Sequence, residues 1–168
     1  MKGSHTMTGT KSVPQISEDP DVTSGVAQFL GPVVTDLTAL AVDGKQAHWH
    51  VRGANFQAVH ELLDDIVQHA RDYADTAAER VVALGLPIDA RIQTVGVKTT
   101  TPKLTAGFQQ SDKTIAEVIA AIDATLKTVR TAVNELGDLD PVSQDVAIEI
   151  ARGLEKDRWF LYAHLATK

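Results

Sequence analysis

Residues 55–87 read NFQAVHELLDDIVQHARDYADTAAERVVALGLP, and this stretch decides the fold. Its apolar side chains recur at intervals of three and four residues: Val59, Leu63, Ile66, Ala70, Tyr73, Ala77, Val81 and Leu84. This period is typical of an amphipathic helix with one buried face. Asn55 is suited to cap such a helix, and Gly85 followed by Pro87 ends it. We therefore predict one long helix here.

Three more segments show helical periodicity, and no segment indicates a strand. The first helix carries its periodic side chains from Leu30 to His48 and stops before Gly53, and Pro32 either begins it or marks a weak point within it. The third helix is expected to be capped by Ser111 and to stop at Gly137.

The fourth helix begins at Asp140, the expected N-cap, with Pro141 in its first turn. Residues 85–110 form a long connection between the second and third helices, in which Arg91–Val95 could form a short helix. Two helical hairpins joined by one long crossover are typical of the ferritin-like four-helix bundle. The predicted fold class is therefore all-α and ferritin-like.

Composition limits the classes of function. The 168 residues suffice for one domain, and a polar segment, residues 1–24, is expected to form a flexible N-terminal arm before the bundle domain, residues 25–168. The absence of cysteine excludes disulfides and thiolate metal sites. No uninterrupted apolar run approaches a membrane span, and no apolar signal segment begins the chain, so a membrane is not an expected partner. The formal net charge of -6 disfavours nucleic acid and favours cations.

The second helix carries two pairs of candidate metal ligands at i,i+4 spacing. His60 and Asp64 form one pair. Asp75 and Glu79 form the other, and each pair could converge on one ion because its members share a face. Imidazole with carboxylate suits Fe(II). Asp64 and Asp75 point the same way but lie about 16 Å apart along the axis, so one helix cannot bring both pairs to one metal.

Two copies of this helix, packed antiparallel about a two-fold axis, would bring the pairs together. The His60 end of one copy then faces the Glu79 end of the other, and the axis passes near residues 69 and 70. His48 lies on the first helix, where the neighbouring helix can bring it beside His60. The predicted metal ligands are His48, His60, Asp64, Asp75 and Glu79. The Glu-x-x-His motif that builds such sites within one chain is absent.

Each of these residues also has a structural explanation. A single buried histidine is more often hydrogen-bonded in a core than bound to metal, and a lone pair of acids is usually a solvated helix face. Five such residues at consistent spacing favour a metal site without excluding that alternative. Roles beside the site or at the surface stay open for His50, His69, Glu61 and Asp65.

A family resemblance follows from several segments of the chain. They are KQAHWHVRG at 45–53, Asn55-Phe56, VHE at 59–61, Asp64, DTAAER at 75–80, VSQD at 142–145, LEK at 154–156 and Trp159-Phe160. Together they resemble the signature of the Dps mini-ferritins (DNA-binding proteins from starved cells), over about residues 26–166.

The resemblance implies a function and an assembly. It assigns the ferroxidase ligands to the same five residues, at the two-fold interfaces of a hollow homo-dodecamer. It implies oxidation of Fe(II), preferentially by hydrogen peroxide, and storage of the ferric product inside, which protects a cell against oxidative stress. It also implies a cytoplasmic location, with nucleoid association as an alternative. Trp49 would intercept stray oxidising equivalents, or would be only an interface aromatic residue.

Two further expectations concern iron entry and DNA. The resemblance implies acidic three-fold pores near the start of the last helix, for which the candidates are Asp138, Asp140, Asp145 and Glu149, although Asp140 could be only a helix cap. His50 stands where many relatives have asparagine. The chain has no lysine-rich C-terminal tail, and its N-terminal arm is a poor polycation, so DNA binding is not expected. The competing functions are a DNA-coating nucleoid protein and a metal-dependent hydrolase that uses the same site.

Overall fold

The computed structural model describes residues 19–165. They form the helices α1 (Pro20–His50), α2 (Phe56–Ala83), α3 (Ile92–Lys98), α4 (Ser111–Leu136) and α5 (Pro141–Leu165), and the two-residue strands β1 (Val51–Arg52) and β2 (Gln109–Gln110). The helices α1 and α2 pack as one hairpin, α4 and α5 pack as another, and α1 also packs against α4. The predicted all-α bundle with a long crossover and a short crossover helix is confirmed.

The core lies between the four long helices. Its largest fully buried side chains come from the predicted apolar faces: Leu30, Leu37, Leu40, Leu63, Ile66, Leu84, Ile115, Ile122, Leu136, Ile150, Leu154 and Leu161. Because these side chains leave water together, they supply the main favourable term for packing the bundle.

The first helix begins earlier than the sequence predicted. Its N-cap is Asp19, whose carboxylate accepts a hydrogen bond from the backbone N–H of Asp21 at 2.9 Å, and Pro20 occupies the first turn. The arm boundary at residue 24 is therefore wrong, because residues 20–24 are helical. The rest of the predicted arm, residues 1–18, lies outside the described residues. Pro32 lies within α1 and does not begin it.

One predicted N-cap holds in position only, and the other is wrong. Asn55 occupies the N-cap position of α2, but it has a left-handed backbone with φ 55° and its side chain makes no capping bond. Asparagine is one of the few residues that adopts this conformation at low cost, which explains its presence in the turn. Ser111 is the first helical residue of α4, and its hydroxyl donates to the Ala54 carbonyl at 2.7 Å instead of capping the helix.

A short strand pair connects the turn after α1 to the end of the crossover. Val51 pairs with Gln109 and Arg52 pairs with Gln110 in parallel register. The expectation of no strand is wrong for these four residues, because a two-residue strand is too short to show an alternating pattern. The pairing fixes the turn between α1 and α2, and the predicted ligands His48 and His60 lie on either side of this turn.

A buried carboxylate holds the middle of the crossover. Asp36 on α1 is 1% exposed and accepts hydrogen bonds from the hydroxyls of Thr99 (2.9 Å), Thr100 (2.7 Å) and Thr128 (2.7 Å). The backbone N–H of Thr100 donates to it as well, at 2.7 Å. The carboxylate thus joins α1, the segment after α3, and α4 at one point.

The helix α1 is the one described helix that is long and apolar enough to cross a membrane, judged by length and composition alone. Just over half of its most apolar window, 56%, is buried inside the bundle. The core helix of a water-soluble protein meets the same criterion, so this finding assigns no membrane location.

A glycine on α5 allows close packing against α2, and we expect Gly153→Ala to destabilise the bundle. A Cβ at residue 153 would overlap the Tyr73 hydroxyl oxygen and lie 2.5 Å from its Cζ, so the tyrosine ring would have to move. Overpacking of this kind lowers the free energy of unfolding by about 1–3 kcal/mol. Gly96→Ala on α3 is the matched control, because a Cβ at residue 96 would have no neighbour within 4 Å, and alanine there should stabilise by about 0.5–1 kcal/mol. Thermal unfolding at one protein concentration would measure both variants, and an unchanged midpoint for Gly153→Ala would contradict the expectation.

Candidate metal centre

Two histidines from neighbouring helices orient each other through the main chain. His48, in the last turn of α1, lies 2.7 Å from the backbone carbonyl oxygen of His60 through its Nδ1 atom. His60, in the first turns of α2, lies 2.9 Å from the backbone carbonyl oxygen of His48 through its own Nδ1. The two rings stack with centroids 3.7 Å apart. The predicted proximity of these two residues is confirmed.

This reciprocal arrangement determines which ring nitrogen is available. A carbonyl oxygen only accepts, so each Nδ1 carries the proton and donates it. Within residues 19–165, each Nε2 is left without a hydrogen-bond partner and carries the lone pair whenever the ring is uncharged. Metal-binding histidines are oriented in this way, with one ring nitrogen bonded to a carbonyl and the other available to the metal.

At a pH where the imidazoles are uncharged, we expect both rings to be Nδ1–H tautomers in the metal-free protein. Solid-state ¹⁵N NMR of histidine-labelled protein would show two rings with a protonated Nδ1 and an unprotonated Nε2. His48→Gln and His60→Gln would assign the two signals, and His164→Gln would serve as the control. Nε2–H tautomers at both positions would contradict the arrangement.

Asp64 lies one turn after His60 and is bonded to a lysine that the sequence did not single out. Lys45 on α1 donates a short hydrogen bond from Nζ to the Asp64 carboxylate. This bond lowers the pKa of Asp64, and the neighbouring charges add to the effect. Asp64 therefore stays ionised, as a metal ligand must. The ammonium of Lys45 would have to move away for the same oxygen to bind a cation.

The five predicted ligands do not come together within one chain. Asp75 and Glu79 are exposed on α2, about four to five turns beyond His60. Across the part of the chain that the structure describes, no group of three or more His, Asp or Glu side chains could hold a metal ion. The two ligand pairs thus remain separate, and the intersubunit centre stays a prediction.

The comparisons with known proteins agree on one family. A family model described as a ferritin-like domain matches residues 28–168. A protein of Mycolicibacterium smegmatis called "DNA protection during starvation protein" is 35% identical over 156 residues, which cover 84% of this chain and 78% of the relative. The chain belongs to the Dps family. The solved structure of Dps from Microbacterium arborescens in the high iron form is 58% identical, with a TM-score of 0.87, and the match covers 90% of this chain and 99% of that one.

The relatives of this chain are named after different functions. The major subunit of the fine tangled pili of Haemophilus ducreyi is 32% identical over 140 residues, which cover 83% of this chain and 74% of the relative. Family membership therefore supports the ferritin-like fold and an iron-storage or DNA-protection class of function, and finer statements depend on the site of each protein.

The remaining site residues of this Dps chain have different surroundings. Trp49, next to His48, is 61% exposed. Of the predicted pore residues, Asp138, Asp145 and Glu149 are exposed at or near the start of α5. Asp140 is the exception, and its contacts are described next.

Asp140 is held within its own chain. Arg80 donates to its carboxylate at 2.6 Å and the Ser143 hydroxyl donates at 2.5 Å. Burial opposes ionisation of Asp140, but these hydrogen bonds outweigh it and lower the pKa. Arg80 also donates to Ser143 at 2.9 Å, so the group joins the end of α2 to the start of α5 beside Glu79. These contacts favour a structural role for Asp140, such as the helix cap, over a role in a pore. The sequence did not indicate Arg80, because its partners Asp140 and Ser143 lie 60 and 63 residues away.

Proposed function

We propose that this Dps protein is a ferroxidase and an iron store. It oxidises Fe(II), preferentially with hydrogen peroxide, and mineralises Fe(III) inside a dodecameric shell in the cytoplasm, which protects the cell against oxidative stress. The observation that carries the proposal is the His48–His60 pair, in which both Nε2 atoms are available as ligands. The high iron form of a Dps relative that is 58% identical supports iron as the substrate.

The proposed centre lies between two chains. His48, His60 and Asp64 of one protomer face Asp75 and Glu79 of its partner. Within one chain the two halves stay apart, because Asp64 and Asp75 lie about 16 Å from each other along α2. An antiparallel pair of α2 helices about a two-fold axis then creates two equivalent centres. Three carboxylates and two neutral imidazoles would offset most of the charge of two Fe(II) ions. They would stabilise Fe(III) more strongly after oxidation, because the ligands are mostly anionic and hard.

The electron balance favours hydrogen peroxide as the oxidant. Two Fe(II) ions lose one electron each, and one peroxide takes both as its O–O bond breaks and two protons are added, which yields two water molecules. A pair of metal ions therefore avoids the one-electron step that releases hydroxyl radical. Trp49 lies beside His48 and, with 61% of its surface exposed, is placed to give up an electron to any oxidant that escapes the centre.

Iron would enter through acidic pores at the three-fold axes, for which Asp138, Asp145 and Glu149 are the proposed lining residues. They are exposed at or near the start of α5. Asp140 is instead paired with Arg80, so it supports this segment and is not proposed to line the pore.

DNA coating is not part of the proposal, because the net charge of -6 would repel the phosphate backbone. A gel shift at low salt that is lost at high salt would restore DNA coating as a function.

The test is oxidation of Fe(II) by the metal-free assembly. We expect peroxide to be consumed at about one molecule for two Fe(II), with a ferric core visible by absorbance and electron microscopy. His60→Ala with Asp64→Ala should lower the initial rate at least about a hundredfold, because even partners outside the ligand set change metal sites by 10–100-fold. Gln57→Ala, an exposed change on the same helix, is the control. Undiminished oxidation by the double variant would remove the assigned site.

A further inference from the structure

His69, a second histidine on α2, is oriented by the buried acid Asp157 of α5. The two residues lie on the side of α2 that faces away from Asp64. The Nδ1 atom of His69 lies 3.1 Å from both carboxylate oxygens of Asp157 on α5. Asp157 is only 3% exposed, whereas the His69 side chain is 46% exposed. The acid is therefore hidden behind the imidazole, and the imidazole reaches the surface.

The geometry leaves the outer nitrogen of this ring available. Since Nδ1 points to the carboxylate, Nε2 lies on the other side of the ring, and within residues 19–165 it has no hydrogen-bond partner. Burial raises the pKa of Asp157, and the hydrogen bond and charge of His69 oppose that rise. An imidazole backed by a carboxylate is fixed in orientation and is a more basic ligand, which is the arrangement that metal-binding histidines use.

Two exposed carboxylates lie one helical turn from His69 on α2. Asp65 lies one turn before His69 on α2, exposed, and close enough to Asp157 to raise its pKa. Asp72 lies one turn after it and is exposed as well. Burial and then the charges of Asp157, Glu149 and Asp72 raise the pKa of the neighbouring Tyr73. Among residues 19–165, Lys156 is the one cation besides His69 whose charge lowers the pKa of Asp157.

This group is separate from the proposed ferroxidase centre. His69 follows Asp64 by five residues, which places the two side chains about 140° apart around the helix and about 7.5 Å apart along it. Asp64 faces Lys45 on α1, whereas His69 faces α5. The two ends of the intersubunit centre also lie on the Asp64 side of the helix.

We propose that His69, through Nε2, and Asp65 bind a divalent transition-metal cation at a second site, which lies on the α2–α5 flank of each subunit. A helical His/Asp pair at i,i+4 supplies two ligands, and water completes the coordination. Asp157 is the positioning residue, since it touches the imidazole and not the metal. The site lies within one chain and does not depend on the proposed ferroxidase centre.

The test uses Zn²⁺ and the assembled protein with the His60→Ala and Asp64→Ala changes, so that the outcome is independent of the ferroxidase proposal. Equilibrium dialysis should show a Zn²⁺ site in each subunit that disappears in the additional variant His69→Gln. Asp157→Asn should weaken this site about 10–100-fold, as loss of the acid behind a metal-bound histidine does. His164→Gln, on the last turns of α5, is the matched control and should leave Zn²⁺ binding unchanged.

A crystal soaked in Zn²⁺ provides the second measurement. Anomalous density about 2.0–2.1 Å from Nε2 of His69 is the expected result. Zn²⁺ binding that is the same with and without His69→Gln, or density at other sites with none at His69, would overturn the proposal. His69 is half-exposed, so its replacement by glutamine should leave the assembly intact, and native mass spectrometry would verify that.

Discussion

Co-assembly of two inactive variants of this Dps protein should restore about one quarter of the wild-type rate of Fe(II) oxidation, because each proposed centre takes one half from each of two chains. One variant carries His60→Ala with Asp64→Ala, and the other carries Asp75→Ala with Glu79→Ala. In a mixed dimer, one centre receives both damaged halves and the other receives both intact halves. Random mixing makes about half of the dimers mixed, and one of the two centres in each is intact.

The control for this experiment mixes two variants that damage the same half. Co-assembly of a His60→Ala chain with an Asp64→Ala chain leaves every centre without one ligand, so no activity should return. Initial rates of peroxide-dependent oxidation would be compared after joint refolding, with mixed assembly verified by native mass spectrometry. Activity that stays absent in verified mixed dimers of the first pair would contradict the intersubunit centre.

Asp36→Ala should lower the free energy of unfolding by about 3 kcal/mol or more, because it leaves several buried donors without an acceptor. The hydroxyls of Thr99, Thr100 and Thr128 all donate to this carboxylate, which is 1% exposed. The crossover should detach from α1 first. A loss of this size corresponds to a fall of about 6–12 °C in the thermal midpoint of a chain of this length.

Asp43→Ala is the matched control, since Asp43 lies on the same helix and is only partly buried. Burial raises the pKa of Asp43, so its ionised form is disfavoured in the folded state, and removing it should cost little. Hydrogen exchange should become faster in the segment after α3 in Asp36→Ala alone. Equal midpoints for the two variants would show that the buried carboxylate does not anchor the crossover.

The sequence predicted the helices and the proximity of two candidate ligands because both depend on local spacing. The apolar face of α2 repeats every three to four residues, and the turn between α1 and α2 is short enough for His48 and His60 to be placed together. The helix ends were less predictable. Asn55 and Ser111 have side chains that often cap helices, but one adopts a left-handed turn and the other bonds to a neighbouring carbonyl.

What the sequence could not predict depends on residues that are distant along the chain. His69 and Asp157 are 88 residues apart. Asp36 bonds to residues 63 and 92 positions away. Single polar residues of this kind leave no periodic pattern, because their positions depend on how the helices pack against each other. The same holds for Arg80, whose partners at the start of α5 become adjacent only in the folded bundle.

The hydrogen bonds that orient His48 and His60 end on backbone carbonyl oxygens, which every amino acid possesses. No side-chain substitution can remove an acceptor from either ring. Neighbouring positions can therefore diverge during evolution, or be redesigned, without changing which nitrogen of each imidazole faces outward. Tolerance to mutation is thus built into the main chain at this turn, whereas the His69 ring depends on one replaceable carboxylate.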